Sequence, residues 1–176
     1  LMTNAKGLSS AHSVIGAVVA SEMVFEPFKQ GYNMFLHGMT FAGHPVQAAV
    51  ALRNLEIIER ENILAHVREN EPKLKAALES LLELPIVGDV RGAGYKWGIE
   101  LVTDPDSLAR FTPQQEAQVA HGFIAPEMYK RGVISRVSSQ DGVALQFCPP
   151  LVAGEQEFEQ FTETVRGVLT DAWQKL

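Results

Sequence analysis

The chain has 176 residues, of which 46% are hydrophobic and 20% are charged, and its formal net charge is −6 at pH 7. This composition is typical of a globular protein, and the acidic balance argues against nucleic acid or an anionic membrane as a partner. No apolar run is long enough to span a bilayer. The single cysteine, Cys148, cannot form an internal disulfide, which favours a reducing compartment, and we expect a cytoplasmic location.

Residues 1–44 alternate short apolar runs with glycine. Residues 15–20 predict a buried strand of the kind found in parallel sheets. Ser21 is placed to cap a short helix over residues 22–28. Residues 31–43 are rich in glycine and have no clear period, which predicts a shaped loop, the part of a fold where binding residues concentrate.

Two helices are predicted next. Pro45 suits the first position of a helix, where its missing N–H costs nothing. Apolar residues on several faces of residues 45–58 indicate that the first half of this helix is buried nearly all round. Asn62 can cap a second helical stretch, in which Pro72 predicts a kink or a break.

From residue 85 onward the pattern changes to mixed strands and helices. Apolar residues alternate over residues 95–102, which predicts a strand with one face buried. Thr112 and Gln115 form a capping-box signature for a helix that runs to Arg131 and stops at Gly132. Short strands are predicted over residues 133–137 and 143–147. The last helix is predicted to bury an apolar stripe comprising Phe158, Phe161, Val165, Val168, Leu169 and Trp173.

Lys6 is the main candidate for chemistry. It is followed at once by a glycine and, two residues later, by the hydroxyl pair Ser9 and Ser10, which suits a site where an amine must approach an aldehyde closely. Such a lysine can form a Schiff base with pyridoxal phosphate. Taken alone the motif is weak, because most Lys-Gly pairs are exposed turns.

Together with four later blocks, the Lys6 motif resembles the class III (ω-type) aminotransferases of pyridoxal phosphate fold type I. The blocks follow in order at residues 35–45, 87–94, 132–136 and 149–151. Family members are much longer, and Lys6 would lie well past the middle of such a chain. The sequence therefore resembles the C-terminal portion of a subunit.

The resemblance implies an α/β fold with three parts. Residues 1–44 would be the remnant of the large pyridoxal phosphate-binding domain. Residues 45–84 would be connecting helices, and residues 85–176 a small α+β C-terminal domain. By the same resemblance, the aspartate that pairs with the pyridine nitrogen, the glycine-rich phosphate segment and the stacking aromatic lie upstream of Leu1.

The resemblance also implies roles for individual residues. Lys6 would carry the Schiff base and then act as the base that moves the substrate proton. Thr40, with the backbone N–H beside it, would bind the cofactor phosphate of the opposite subunit, and Met39 occupies the neighbouring cofactor-binding position. The active sites of a homodimer would then be shared. Arg136 would recognise the substrate carboxylate through its guanidinium fork.

Other conspicuous residues are assigned structural roles. Residues 91–94 predict a tight turn between strands, and Cys148 is interpreted as a small core hydrophobe. His37 and His44 have no third ligand at a suitable spacing, so no metal site is predicted. The family pattern after the lysine usually has a glycine, an aromatic and a proline. Here the corresponding positions, residues 11, 12 and 14, are alanine, histidine and valine.

Two functions from different classes follow. In the first, the chain is part of an aminotransferase that moves an amino group from an amine or ω-amino acid donor to a 2-oxo acid acceptor. An aminomutase or a decarboxylase on the same scaffold would share Lys6. In the second, the chain is a non-catalytic fragment or dimerisation module that lacks a complete cofactor pocket and exposes apolar surface.

Overall fold

The computed structural model describes residues 1–176, which form two compact units, Leu1–Asn62 and Ile63–Leu176. This division by compactness differs from the boundaries predicted from the sequence, at residues 44 and 84. Those boundaries separate the parts of a larger subunit, and they stay a prediction. None of the helices combines the length and the apolar character that a membrane span requires.

The first unit contains little regular structure before its long helix. Strands β1 (Met2–Asn4) and β2 (Ala17–Val19) pair antiparallel, and helix α1 (Glu22–Phe25) continues as a 3-10 turn over Glu26–Phe28. Helix α2 (Pro45–Arg60) starts at the predicted proline. The loop between Phe28 and α2 is irregular, as predicted.

Three expectations for the first unit were wrong. The predicted buried, parallel strand is a three-residue antiparallel strand whose side chains are all exposed, because a two-stranded ribbon has no second layer in this unit to cover it. The Ser21 side chain makes no capping hydrogen bond, and its carbonyl oxygen accepts the N–H groups of Val24 and Phe25 instead. Helix α2 buries only Ala51.

The second unit is a four-stranded antiparallel sheet with helices packed on it. Its strands are β3 (Val87–Ala93), β4 (Lys96–Leu101), β5 (Arg136–Ser138) and β6 (Val143–Phe147), in the spatial order β3-β4-β6-β5. Alternation along β4 is as predicted, since Trp97, Ile99 and Leu101 are buried, and β6 spans the predicted residues and buries every second one. Strand β5 is shorter than predicted.

The helices of the second unit supply the other half of its core. They are α3 (Ile63–Glu79), α4 (Pro113–Gln115), α5 (Ala125–Lys130) and α6 (Glu155–Trp173). A 3-10 turn, Ser80–Glu83, follows α3. The apolar stripe of α6 is buried as predicted, except that Trp173 is only partly buried. The core is therefore a single cluster between one sheet face and the helices.

Two helices depart from the expectation in instructive ways. Helix α3 continues through Pro72 without a break. The segment between Thr112 and Arg131 has the predicted capping box at Thr112 and stops at Gly132, whose φ is 83°. Its middle, Glu116–Ile124, is a π-helix, and Pro126 is the second residue of the α-helix that follows. A proline ring clashes with the carbonyl four residues earlier in a regular α-helix, and a wider helix ahead of it relieves that clash.

Candidate active site

Lys6 lies in a short 3-10 turn, Lys6–Leu8, two residues after β1. Its side chain is exposed, so the amine is open to a reactant. The backbone of Lys6 has a φ of 51°, and Ser10 and Ala11 are also left-handed, at 47° and 62°. Each such residue with a Cβ costs about 1 kcal/mol or more, and conformations of this kind cluster at functional sites. The lysine loop, residues 5–13, is therefore held in a strained shape.

Internal hydrogen bonds hold the lysine loop together. The Ser9 hydroxyl is almost fully buried, at 1% exposure, and donates to the carbonyl oxygen of Ser13 over 2.6 Å. The backbone N–H groups of Ser9, Ser10 and His12 donate to the carbonyl oxygens of Lys6, Gly7 and Ser9. The hydroxyl pair of the motif therefore has a structural task, because Ser9 closes the loop that presents the lysine.

Asn54 on α2 reaches the same loop from outside. Its side-chain N–H₂ donates to the carbonyl oxygens of Gly7 and Leu8, each over 3.1 Å. Its Oδ1 accepts from the Ser10 hydroxyl over 2.7 Å. Sequence reasoning missed this residue. The one local signal was an asparagine in a helix interior, a position that asparagine does not favour.

Thr40 and Met39 lie in the turn that leads into α2. The turn is closed by hydrogen bonds from the Ala42 and His44 N–H groups to the carbonyl oxygens of Met39 and Phe41. Thr40 is exposed and Met39 is 77% exposed. No hydrogen bond links this turn to Lys6, so the structure does not bring the two predicted cofactor contacts together within the first unit.

Arg136 belongs to the second unit, on the sheet face that the helices leave open. It begins β5 and lies opposite Gln146 of β6, which in turn lies opposite Gly98 of β4. Residues directly opposite in an antiparallel sheet share a face, and both Arg136 and Gln146 are exposed. Ion pairs of this unit engage Arg91 and Arg131, whereas Arg136 keeps its guanidinium open to solvent.

The second unit also has an open pocket, of about 260 Å³, beside β5 and β6. Its lining includes Gln146, Cys148, Pro149 and Glu157, but not Arg136. Cys148 is exposed here, so its interpretation as a core residue was wrong: it directly follows the buried Phe147, and the alternation of β6 places it on the opposite, exposed side with Gln146. No group of three or more His, Cys, Asp or Glu side chains is placed to hold a metal ion.

Three carboxylates of this unit have lowered pKa values, and two of them, Glu127 and Glu157, belong to helices. The hydrogen bond from the Gly154 N–H, 2.8 Å long, lowers the pKa of Glu157 at the start of α6. Hydrogen bonds from Lys130 and Arg131 lower the pKa of Glu127. Both groups stabilise helix ends, and neither is near Lys6 in the sequence.

Comparison with known proteins decides which family these residues belong to. The family described as Aminotransferase class-III matches residues 1–169. This chain belongs to the class-III aminotransferases. Its fold matches the corresponding part of ω-transaminases, such as an (S)-enantioselective ω-transaminase from Thermomicrobium roseum, with a TM-score of 0.87 and 34% identity over 97% of this chain.

Relatives of known sequence agree with the class-III assignment. A protein from Mycobacterium tuberculosis, named "Probable aminotransferase", is 46% identical over 99% of this chain. We refer to it as the mycobacterial relative. A putrescine–pyruvate aminotransferase from Pseudomonas aeruginosa is 34% identical over 96%. The chain spans only 37% and 36% of their lengths, and 37% of the Thermomicrobium roseum chain.

Proposed function

We propose that this chain forms part of a pyridoxal phosphate-dependent aminotransferase that moves an amino group from an amine or ω-amino acid to a 2-oxo acid. The observation that carries the proposal is the lysine loop, which presents an exposed primary amine from a strained, hydrogen-bonded backbone. The name of the Pseudomonas aeruginosa relative, a putrescine–pyruvate aminotransferase, supports an amine donor and pyruvate as an acceptor.

The residues of this chain fit the cofactor in part. Pyridoxal phosphate, when bound, supplies an aldehyde carbon and an electron-withdrawing ring. The Nζ of Lys6 would hold that aldehyde as a Schiff base, and Gly7 leaves open space beside it, since a Cβ there would meet nothing within 4 Å. The same Nζ would be the base that takes the proton from the donor Cα.

The remaining proposed contacts concern binding. Thr40 offers a hydroxyl and a backbone turn to the cofactor phosphate of a second subunit, with Met39 at the adjacent position, so we propose a homodimer with shared sites. The exposed Arg136 offers a bidentate fork to a substrate carboxylate. A cytoplasmic location stays a prediction.

Trapping with borohydride tests the role of Lys6. We would prepare a chimera in which this chain replaces the matched 175 residues of the mycobacterial relative. After incubation with pyridoxal phosphate and reduction, peptide mapping should place the adduct on Lys6. Lys6→Ala should abolish the adduct, whereas Lys29→Ala, the matched control, should keep it. A chimera that folds but gives no adduct at Lys6 would refute the proposal.

One observation favours a second function, that of a non-catalytic fragment or dimerisation module. The first unit exposes large apolar side chains, with Val14, Met23 and Leu36 each more than 80% exposed, at 87%, 82% and 86%. Exposed apolar patches of this kind mark association surfaces. Analytical ultracentrifugation of the chain alone decides: self-association without any borohydride-trapped adduct supports the module, and an adduct at Lys6 in the isolated chain argues against it.

A further inference from the structure

We infer that Asn54 is a positioning residue for Lys6, because its side chain holds the lysine loop in the shape that presents the amine. The inference rests on the proposed function of Lys6. It concerns a residue on a different element, 47 positions from Gly7, that does not itself approach the amine.

The geometry of the contact is specific to an amide side chain. Both hydrogens of a single Nδ2 can be used at once, one for each carbonyl oxygen of Gly7 and Leu8, while Oδ1 accepts the Ser10 hydroxyl. Aspartate has the same shape but carries no donor when ionised. Leucine, also of similar size, has neither a donor nor an acceptor.

The contact also lies where the loop needs support. Gly7 and Leu8 directly follow the left-handed Lys6, and Ser10 is itself left-handed. A chain segment with several such residues persists only when surrounding contacts over-determine it. Within the loop, Ser9 and the backbone bonds supply part of that constraint, and Asn54 is the side chain outside the loop that adds to it.

A rigid platform makes this support effective. Asn54 is partly buried in the middle of α2, which runs without interruption from Pro45 to Arg60. Loss of the amide would leave α2 intact and free the loop to relax toward unstrained backbone angles. Lys6 would then leave its position, and a displacement of about 1 Å of a reacting group can cost roughly 100-fold in rate.

Hydrogen exchange of the chain itself tests, without any cofactor, whether Asn54 holds the lysine loop in place. In Asn54→Ala, the backbone amides of Ser10 and His12 should exchange roughly tenfold faster or more. Local opening of the lysine loop would then cost less free energy, because the hydrogen bonds of Asn54 no longer have to be broken. Glu59→Ala changes an exposed side chain on the same helix and should leave these amides unchanged. Equal exchange in the wild type and Asn54→Ala would overturn the inference.

The chimera described above tests the consequence for Lys6. Single-turnover reaction with putrescine would be measured per bound cofactor, together with the putrescine KM and the Tm. For Asn54→Ala and Asn54→Asp we expect the rate to fall about 10- to 100-fold with the KM changed less than about twofold. Ser10→Ala, which removes one of the three bonds, should reduce the rate by less, and Glu59→Ala should leave it unchanged.

The outcomes separate this inference from the proposed function. A wild-type chimera without an adduct at Lys6 defeats the proposed function. The hydrogen-exchange result still decides whether Asn54 holds the lysine loop in place. A wild-type chimera that reacts normally, with Asn54→Ala equally fast, defeats the positioning role alone. A loss explained entirely by a lower fraction of folded or cofactor-bound protein would also defeat it, because a positioning residue must change the rate at each occupied site.

Discussion

Gly92 is the residue at which one added methyl group should have the largest effect on the sheet of the second unit. It lies in β3 opposite Trp97 of β4. A Cβ built on Gly92 would lie 2.7 Å from the Trp97 Cα and 2.6 Å from its ring carbon Cδ2, and closer still to the carbonyl oxygen of Lys96. Carbon atoms normally stay about 3.5 Å or more apart, so the overlap is nearly 1 Å.

The strand that would have to move is constrained on both sides. β4 pairs with β3 on one side and with β6 on the other, and Trp97 is buried with its indole N–H donating to the carbonyl oxygen of Gly94 over 2.8 Å. Moving β4 away therefore disturbs the core. We expect Gly92→Ala to destabilise the protein by about 2–3 kcal/mol. For a unit of this size the Tm should fall by roughly 10–15 °C.

Gly98 provides a matched control for this substitution. It lies on β4 in the same sheet, but a Cβ there would meet only the Arg91 carbonyl oxygen, at 3.9 Å, which is an ordinary contact. Gly98→Ala should be neutral or stabilising by up to about 0.5–1 kcal/mol, because alanine loses less backbone entropy. Urea unfolding followed by circular dichroism measures both variants. If Gly92→Ala is no less stable than Gly98→Ala, the steric argument is wrong.

Three further predictions concern the lysine loop, the core and the start of α6. Ala11→Gly should stabilise the chain by about 0.5–1 kcal/mol, because Ala11 has a left-handed φ of 62°. Ala5→Gly, at an extended φ of −161°, should instead destabilise it. Thermal unfolding should therefore show a higher Tm for Ala11→Gly and a lower Tm for Ala5→Gly than for the wild type. Leu145→Ala removes a fully buried side chain from the centre of the sheet and should cost about 2–5 kcal/mol in urea unfolding; a cost below about 1 kcal/mol would mean that the core is not packed as described. The Glu157 carboxylate, whose pKa the Gly154 N–H lowers, contributes stability above the ordinary glutamate pKa of about 4.3, and that stability is lost as the pH falls through the lowered value. An NMR titration should therefore place the Glu157 midpoint below those of exposed glutamates, and Glu157→Gln should lose less stability between pH 5 and pH 3 than the wild type; equal midpoints would contradict the assignment.

Local patterns predicted most elements of the second unit. Alternation of apolar residues predicted β4, a short strand was predicted at β6, and the Thr112 signature predicted a capping box that the structure confirms. These features are predictable because strand period and capping depend on residues within a few positions of each other. The same locality explains the errors: the burial predicted for α2 depends on which neighbours cover it, and periodicity carries no information about them.

For the candidate site, the sequence predicted the family correctly, whereas the roles of individual residues stay predictions. The family resemblance rested on Lys6 and on ordered blocks of sequence, and the comparisons confirm the family. The roles of Thr40 and Arg136 stay predictions. Ala11 is left-handed, a conformation that glycine adopts without strain, and only the backbone angles reveal this.

By itself, then, the sequence determined the family, the lysine on which the proposed chemistry depends and the helices and strands whose signals are local. The tertiary structure alone decided how that lysine is held. Asn54 is 44 to 47 residues away from the loop atoms that it contacts, and Gly92 meets β4 only after the hairpin has formed. Contacts of this kind depend on how distant segments are brought together in space, so no short window of sequence contains them.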